Sequence, residues 1–312
     1  MKIKTLIFGG SGLVGSSLKK RLSVNKNLDV FSPSRSEVDL FDFQGTNRFI
    51  KKYNPDLIIN AAAKVGGINA NNTQRVEFLL ENLKININIL ESSVNKPDLK
   101  IINLGSSCIY PLGATVPIKE ESLMTGKLEP TNSPYALAKI TAIELGKSIK
   151  SQYGSTVINL MPTNLYGHRD NFSLTNGHVI PSLIHRFYNA KNDKKESIVI
   201  WGTGKPLREF LHVDDLADAI NFIIENNVEK ELINVGSSEE ISIKDLANLI
   251  KDITSYSGKI IFDENMPDGN PRKLLDSSFL HDLGWSSKIG LQDGLTRTYK
   301  WFVENYSEAK KQ

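Results

Sequence analysis

The stretch Phe8-Gly9-Gly10-Ser11-Gly12-Leu13-Val14-Gly15 follows a short apolar run at residues 4–8 and opens a helical pattern over 12–21. Its glycines fit the GxxGxxG spacing, and three of them also fit GxGxxG. A tight strand-to-helix turn needs residues without side chains, and such a turn lets a pyrophosphate approach the amides of a helix N-terminus. The stretch therefore predicts a strand, a dinucleotide-binding turn and a helix, in that order.

Short apolar segments alternate with helical patterns through the first half of the chain. The sequence predicts strands at 4–8, 28–31, 57–60, 100–104 and 157–161, and helices at 12–21, 77–94 and 135–152. This alternation implies right-handed crossovers and a parallel sheet covered on both faces. We predict an α/β fold, in which a Rossmann-type doubly wound parallel sheet is joined by a smaller C-terminal α/β substrate domain.

Turn-rich stretches become frequent after residue 165. Helices are predicted at 214–225 and 291–306, and a strand at 231–235 can rejoin the first sheet. We predict an NADP-binding Rossmann domain over 1–165, rejoined by about 212–236. A substrate-binding domain is predicted over 166–211 and 237–312.

Composition excludes several classes of protein. The chain has 312 residues, 40% of them apolar and 23% charged, which is ordinary for a globular protein. Its one cysteine excludes an intrachain disulfide framework and a cysteine-based zinc cluster, and it suits a reducing compartment. The net charge of +3 does not indicate nucleic-acid binding, and no apolar run reaches the roughly 20 residues of a membrane span. We expect a cytoplasmic protein with no metal, no nucleic-acid partner and no membrane segment.

The end of the second predicted strand indicates which dinucleotide binds. An acid there would bind the ribose 2′-hydroxyl of NAD, but the segment reads Phe31-Ser32-Pro33-Ser34-Arg35. The Arg35 guanidinium can instead fork onto a 2′-phosphate, which favours NADP(H). Asp39 and Leu40 follow shortly afterwards and are predicted to border the adenine.

Tyr135 and Lys139 are four residues apart on one predicted helix and therefore share a face. A nearby ammonium, together with the positive nicotinamide ring of the oxidised cofactor, would stabilise a phenolate and bring tyrosine into range for proton transfer. Ser133 is predicted to cap this helix, with Pro134 in its first turn. Ser106 follows another predicted strand, where its hydroxyl can hydrogen-bond a substrate carbonyl.

The order of these motifs resembles the extended short-chain dehydrogenase/reductases and, within them, the GDP-L-fucose synthase family. The matching stretches are AAAKVGGI at 61–68, GSSCIYP at 105–111, EPTN at 129–132, MPTNLYG at 161–167, GHVIP at 177–181, REFLHVDD at 208–215 and PDGNPRK at 267–273. They run from near the first strand almost to the C-terminus. The resemblance implies NADPH-dependent 3,5-epimerisation and 4-keto reduction of GDP-4-keto-6-deoxy-D-mannose to GDP-L-fucose.

The resemblance also implies roles for individual residues. Ser106, Tyr135 and Lys139 would form the reductase triad, and Cys108 and His178 would be the base and the acid of epimerisation. Cofactor contacts are predicted at Gly9, Gly10, Ser11, Gly12, Leu13, Val14, Gly15, Arg35, Asp39, Leu40, Ala62, Leu104, Gly105, Ser106, Ser107, Tyr135, Lys139, Pro162, Thr163, Asn164, Leu165 and His178. GDP-sugar contacts are predicted at Arg186, Trp201, Arg208, Asp268 and Lys273. A homodimer is implied, through the helices at 77–94 and 135–152.

Two alternatives remain open on the sequence. The chain can act on a related GDP-4-keto sugar, a deoxyheptose or a dideoxyhexose, as an epimerase/reductase or as a reductase only. A non-catalytic NADP-binding protein is the alternative from another class. Two departures from the family pattern bear on this choice: Ser11 stands where some bacterial relatives have an arginine, and His168-Arg169 replaces the usual Pro-His in a loop expected near the sugar.

Overall fold

The computed structural model describes residues 2–266 and 268–309. The strands are β1 (Ile3–Phe8), β2 (Leu28–Phe31), β3 (Leu57–Asn60), β4 (Lys100–Leu104), β5 (Val157–Pro162), β6 (Asn164–Tyr166), β7 (Ser197–Trp201), β8 (Leu207–His212), β9 (Leu232–Val235), β10 (Glu240–Ser242), β11 (Lys259–Asp263) and β12 (Arg272–Lys273). The α-helices are α1 (Leu13–Leu22), α2 (Phe43–Tyr53), α3 (Ile68–Thr73), α4 (Arg75–Glu91), α5 (Ser133–Tyr153), α6 (Val179–Asn192), α7 (Val213–Glu225), α8 (Ile243–Thr254), α9 (Ser278–Asp282), α10 (Leu291–Glu304) and α11 (Tyr306–Ala309).

Six parallel strands form the main sheet, in the order β2-β1-β3-β4-β5-β9. Every residue of β3, β5 and β9 is buried, which explains why these strands are mostly apolar on both faces rather than alternating, with one asparagine in each. The predicted fold class is confirmed. β9 returns to the sheet beside β5, as the strand predicted at 231–235 anticipated, while the division into two domains stays a prediction.

Helices cover both faces of this sheet. On one face α1 packs against α7, with Leu18, Leu22, Ala217 and Ile220 in the core. On the other face α4 and α5 supply Ile85, Ile89, Ala142 and Ile149. In the described ranges, no helix combines the length and the apolarity that crossing a bilayer requires.

A row of buried asparagines crosses the sheet near the carboxyl ends of its strands. Asn60, Asn103 and Asn159 are register partners on β3, β4 and β5. The Asn60 amide donates to Asn103 at 2.9 Å, and the Asn103 amide donates to Asn159 at 3.1 Å. Because an unpaired buried amide is costly, this row fixes the register of the three strands below the site.

A second apolar core lies outside the main sheet. β8 pairs with β6, β10 and β12, and β7 pairs with β11. Helices α6, α8 and α10 enclose the core with residues such as Phe187, Leu246 and Phe302. The sequence reading missed α2, α6 and α8.

Two local predictions are corrected by the structure. The helix predicted at 291–306 is α10, which ends at Glu304 rather than at 306, and a separate short helix, α11, begins at Tyr306. The helix of Tyr135 starts at Ser133 rather than after it, so Ser133 is not its cap. The Ser133 hydroxyl donates instead to the Pro130 carbonyl at 3.3 Å, and Pro134 lies in the first turn as predicted.

Candidate active site

The order of the strands places a crevice between the ends of β1 and β3. β2 lies on one side of β1 and β3 on the other, so the strand order reverses direction at β1. Open α/β sheets bind ligands at such a reversal of strand order. Gly9 turns the chain there with a φ of +80°. A Cβ on Gly9 would lie 2.6 Å from backbone atoms of Ala61 and Ala62, so only glycine fits.

The glycine turn fits the pyrophosphate of a dinucleotide. Gly12 precedes α1 without any side-chain cap, which leaves the first amides of α1, from Leu13 and Val14 onward, for an anionic ligand. A Cβ on Gly12 would meet nothing nearer than the Gly9 carbonyl oxygen, at 3.7 Å. Gly12 and Ser11 are exposed at this mouth, whereas Gly15 is buried where α1 packs on the turn.

Arg35 is exposed on a turn that follows β2. Glu37 holds that turn by accepting hydrogen bonds from the Ser34 amide and hydroxyl, at 2.7 and 2.8 Å. Beyond it, the Asp39 carboxylate accepts from the Phe41 amide, and the Leu40 carbonyl accepts from Asn88. These bonds fix the path of the chain, and the cofactor contacts predicted for Arg35, Asp39 and Leu40 stay predictions.

Two residues that the sequence reading missed lie beside Gly10. A Cβ added there would strike the Ser32 side chain and would lie 3.0 Å from Cδ of Lys19. Lys19 can reach back from α1 because helical side chains point toward the N-terminus, which is the signal that could have found it. The Lys19 side chain thus lies beside the glycine turn, near the position of Ser11.

The side chains of Tyr135 and Lys139 lie on one face of α5, as predicted. Lys139 is buried, and its Nζ donates to the Leu104 carbonyl at the end of β4 over 2.7 Å. The same nitrogen lies 5.7 Å from the centroid of the Tyr135 ring. The ring also packs edge-to-face on Phe78 of α4, with centroids 6.1 Å apart. Tyr135 is thus oriented by two helices and by the end of a strand.

Ser106 and Cys108 face the same end of β4. The Cys108 thiol donates to Ser106 Oγ at 3.1 Å, and the Cys108 amide donates to the same oxygen at 3.4 Å. These bonds cap a short 3₁₀ turn, Ser107–Ile109, in which Ser107 and Cys108 are buried. The hydroxyl and the thiol are therefore positioned together by one local motif.

Electrostatics link this pair to three other side chains. Burial raises the pKa of Cys108, and the ammonium groups of Lys273 and Lys139 partly oppose that rise. Burial lowers the pKa of Lys139 to about 8. Burial and the nearby Cys108 raise the pKa of Tyr135 in the chain by itself. The depression expected from the sequence includes the charge of the oxidised cofactor and stays a prediction.

His178 immediately precedes α6 on a loop that reaches the same rim. The Asn176 carbonyl accepts from the Gly67 amide at 2.8 Å, and a Cβ on Gly66 would lie 3.2 Å from the Phe78 ring that packs on Tyr135. The surrounding protein lowers the pKa of His178 by desolvation, although the residue keeps an exposed face. The loop before α6 therefore contacts the segment at Gly66 and Gly67, and the catalytic role of His178 stays a prediction.

The other predicted cofactor residues lie at the ends of β3, β4 and β5. The Ala62 amide donates to the Asn60 side chain, and the Gly105 amide donates to the Leu160 carbonyl. After Pro162, the Thr163 amide donates to Val235, the Asn164 amide group donates to Glu209, and Leu165 lies in β6. All of these segments border one edge of the sheet, and their contacts with a cofactor stay predictions.

The predicted substrate residues fall into two neighbouring groups. Arg208 and Lys273 are register partners on β8 and β12, which places two cations side by side. Arg186 donates to the Val199 carbonyl at 2.7 Å, and Trp201, at the end of the same strand, is 63% exposed. Asp268 lies close to the end of that strand. Its carboxylate accepts hydrogen bonds from the amide and the hydroxyl of Thr203, each at 2.7 Å. Pro267 of the PDGNPRK stretch lies outside the described residues.

The unusual residues His168 and Arg169 contact other parts of the molecule. Arg169 pairs with Glu308 of α11 at 3.5 Å, and His168 lies in electrostatic range of Asp214 on α7. These contacts lie with α7 and α11 rather than with Ser106 and Cys108. The presence of His168-Arg169 in place of Pro-His therefore says less about which sugar binds than the sequence suggested.

Comparison with known proteins now adds to this geometry. Residues 5–236 match the model of the NAD dependent epimerase/dehydratase family. The chain belongs to this family. It is 46% identical over 309 residues to a probable GDP-L-fucose synthase 1 of Oryza sativa subsp. japonica, covering 99% of this chain and 94% of that protein.

Two further family members extend the comparison. The GDP-L-fucose synthase of Escherichia coli K12 is 43% identical over 97% of this chain and 98% of its own. A solved structure of MlghC, a GDP-mannoheptose C4 reductase from Campylobacter jejuni with NADP bound, is 33% identical, with a TM-score of 0.85 over 97% of this chain and 98% of that one. The resemblance predicted from the sequence is confirmed.

Proposed function

We propose that this protein converts GDP-4-keto-6-deoxy-D-mannose into GDP-L-fucose, by 3,5-epimerisation and NADPH-dependent reduction of the 4-keto group. The observation that carries the proposal is the 3.1 Å contact between the Cys108 thiol and Ser106 Oγ, beside Tyr135 and Lys139. Reduction of a ketone needs the hydroxyl, the phenol and the ammonium; the thiol adds a proton acceptor that only a second step requires. Identities of 43% and 46% to proteins named GDP-L-fucose synthase support the same substrate.

The epimerisation uses the acidity that a 4-keto group gives to the protons on carbons 3 and 5. Ser106 and Tyr135 donate hydrogen bonds to the ketone oxygen, where negative charge develops when a proton leaves. Cys108 as a thiolate takes that proton, and His178 returns one from the other face. Lys273 and Lys139 favour the thiolate because both lower the pKa of Cys108 against the effect of burial.

The reduction takes place at the same carbonyl. The glycine turn and the first amides of α1 would hold NADPH, which would supply the hydride when bound. Tyr135 supplies the proton to the oxygen, and its raised pKa keeps the phenol protonated at neutral pH, as a donor must be. Lys139 fixes the helix face against β4 through its bond to the Leu104 carbonyl.

The diphosphate of the substrate is bound by Arg208 and Lys273, because paired cations match its charge. Arg186 and Trp201 lie next to them and bind the GDP end. Asp268 holds the 203 turn through its two bonds to Thr203 and so positions this group. Binding the nucleotide far from the reacting carbonyl orients the sugar for both steps.

We further propose a homodimer formed through α4 and α5. Val76, Leu80 and Ile87 of α4 are 63%, 48% and 36% exposed and share one helix face, and Leu137 of α5 is 48% exposed. Leu80→Arg should therefore convert a dimer to a monomer in light scattering, whereas a wild-type monomer would refute the interface. A cytoplasmic location stays a prediction from the single cysteine.

The test of the proposed function is product NMR after incubation with GDP-4-keto-6-deoxy-mannose and NADPH in deuterated water. The expected product is GDP-L-fucose with deuterium at carbons 3 and 5. Reduction without deuterium at these carbons would leave a reductase only. Absence of any NADPH oxidation would refute this substrate and leave the related GDP-4-keto sugars and the non-catalytic alternative.

A second candidate is the same chemistry on a related GDP-4-keto sugar, a deoxyheptose or a dideoxyhexose. The observation in its favour is the TM-score of 0.85 to a GDP-mannoheptose C4 reductase. The two candidates differ in substrate only, so kcat/KM on the 6-deoxyhexose and on the corresponding heptose separates them. A higher value for the heptose would replace the first proposal by the second.

A further inference from the structure

A cavity of about 380 Å³ opens between three loops beside the candidate active site. Its lining residues are Leu112, Gly113, Glu129, Gly269, Asn270 and Pro271. A volume of this order accommodates a sugar ring, since whole ligand sites start near about 300 Å³. None of these residues is among the proposed contacts of the GDP-sugar.

The position of the cavity places it on the path of the sugar. Leu112 and Gly113 follow the candidate base Cys108 by only four and five residues. On the other side, a Cβ on Gly269 would lie 3.8 Å from Nη2 of Arg208, the candidate diphosphate cation. In a GDP-sugar the hexose that carries the reacting carbonyl is attached to the diphosphate, so a cavity beside Arg208 is positioned to receive the ring.

Glu129 is the charged side chain of this lining, and only one of its two oxygens is fully used by the loop. Oε2 accepts from the Thr131 amide, the Thr131 hydroxyl and the Asn132 amide, at 3.1, 2.6 and 3.1 Å. Oε1 accepts one bond, at 3.1 Å, and its donor is the same Thr131 amide that also donates to Oε2. A carboxylate oxygen has two lone pairs, so Oε1 retains acceptor capacity. A further hydrogen-bond donor would stabilise this half-buried carboxylate.

The proposed substrate offers few donors. Its C1 carries the diphosphate, C4 is a ketone, C5 bears the ring oxygen and C6 is a methyl group, so free hydroxyls remain only on C2 and C3. We propose that Glu129 is a substrate-binding residue that accepts a hydrogen bond from the C2 or the C3 hydroxyl of the GDP-sugar. This inference rests on the proposed function, because it places the sugar of the proposed substrate in the cavity.

The test measures binding by calorimetry, in the presence of NADP⁺, of GDP, GDP-mannose and its 2-deoxy and 3-deoxy analogues. Glu129→Gln should weaken GDP-mannose at least about tenfold, the effect expected on losing a charged acceptor, and leave GDP unchanged. One deoxy analogue should bind wild type at least about tenfold more weakly than GDP-mannose, and Glu129→Gln should remove that difference. This wild-type comparison does not depend on the variant's folding.

Thr131→Val is the matched control for a purely structural role. It removes the 2.6 Å bond to Oε2 and leaves Oε1 untouched, so the ratio of the GDP-mannose and GDP affinities should not change. An equal loss in both variants, or no penalty for either deoxy analogue, overturns the assignment of Glu129 alone. Wild type that binds neither GDP nor GDP-mannose overturns the proposed function, and the inference with it.

Discussion

The burial of Lys139 predicts a specific dependence of stability on pH. The residue is 2% exposed, its Nζ is held by the Leu104 carbonyl, and burial lowers its pKa from 10.5 to about 8. In the unfolded chain the same amine regains its ordinary pKa. Between these two values the unfolded state binds more protons than the folded one, so the free energy of unfolding must rise with pH.

The magnitude follows from the shift. A difference of about 2.5 pKa units corresponds to roughly 3 kcal/mol of destabilisation while the lysine is fully charged in both states. Between about pH 7 and about pH 9.5, roughly 2 kcal/mol of that cost is removed, because the folded lysine releases its proton while most unfolded lysine keeps its own. Lys139→Met abolishes this titration.

The assay is urea unfolding of the cofactor-free wild type and Lys139→Met at both pH values. The variant leaves the Leu104 carbonyl without its donor, which lowers stability by an amount that does not depend on pH. The informative quantity is therefore the change with pH in the stability difference between the two proteins, expected to be about 2 kcal/mol in favour of wild type at high pH.

Lys84→Met, which alters an exposed lysine on the neighbouring helix α4, is the control. Its stability difference from wild type should stay the same at both pH values. If the wild-type and Lys139→Met stabilities change in parallel with pH, Lys139 titrates alike in both states and the argument from burial is wrong.

Three other predictions concern the chemistry. Tyr135→Phe should lower reduction about 10²–10⁴-fold and leave the Kd of NADPH unchanged, since it removes one proton donor; undiminished turnover would rule out that role. Cys108→Ser should reduce deuterium incorporation at the sugar carbons, measured by mass spectrometry, far more than hydride transfer; unchanged incorporation would remove the thiol from the mechanism. Arg35→Ala should raise the Kd of NADPH at least about tenfold and leave that of NADH unchanged, because only NADPH carries a 2′-phosphate; equal effects on both would contradict the proposed contact.

The main sheet was predictable because its strands are short and most of their residues are buried. A short, mainly apolar run such as that of β3 or β5 needs no long-range information to be recognised. The helices α2, α6 and α8 were missed, although α8 carries a clear start signal: the Ser242 side chain accepts from the Asp245 amide. For α6 and α8, the turn-rich sequence after residue 165 hid the signal.

The catalytic candidates show the same division. The pair Tyr135 and Lys139 could be placed on one face from their spacing alone. The sequence could not show that Lys139 directs its ammonium to Leu104, 35 residues away, because that contact depends on how α5 packs on β4.

By itself the sequence determined the strand–turn–helix at Gly9–Gly15, the parallel sheet and the shared face of Tyr135 and Lys139, since these depend on residue type and local spacing, while the family resemblance supplied Cys108 and His178. Only the tertiary structure decided that Lys273 lies near Cys108, that Arg208 and Lys273 pair in register, and that Glu129 lines a cavity together with two other loops. Lys273 is 165 positions from Cys108 and 65 from Arg208 in the chain. Contacts over such separations are set by the packing of whole strands and loops, for which no local pattern of residues exists.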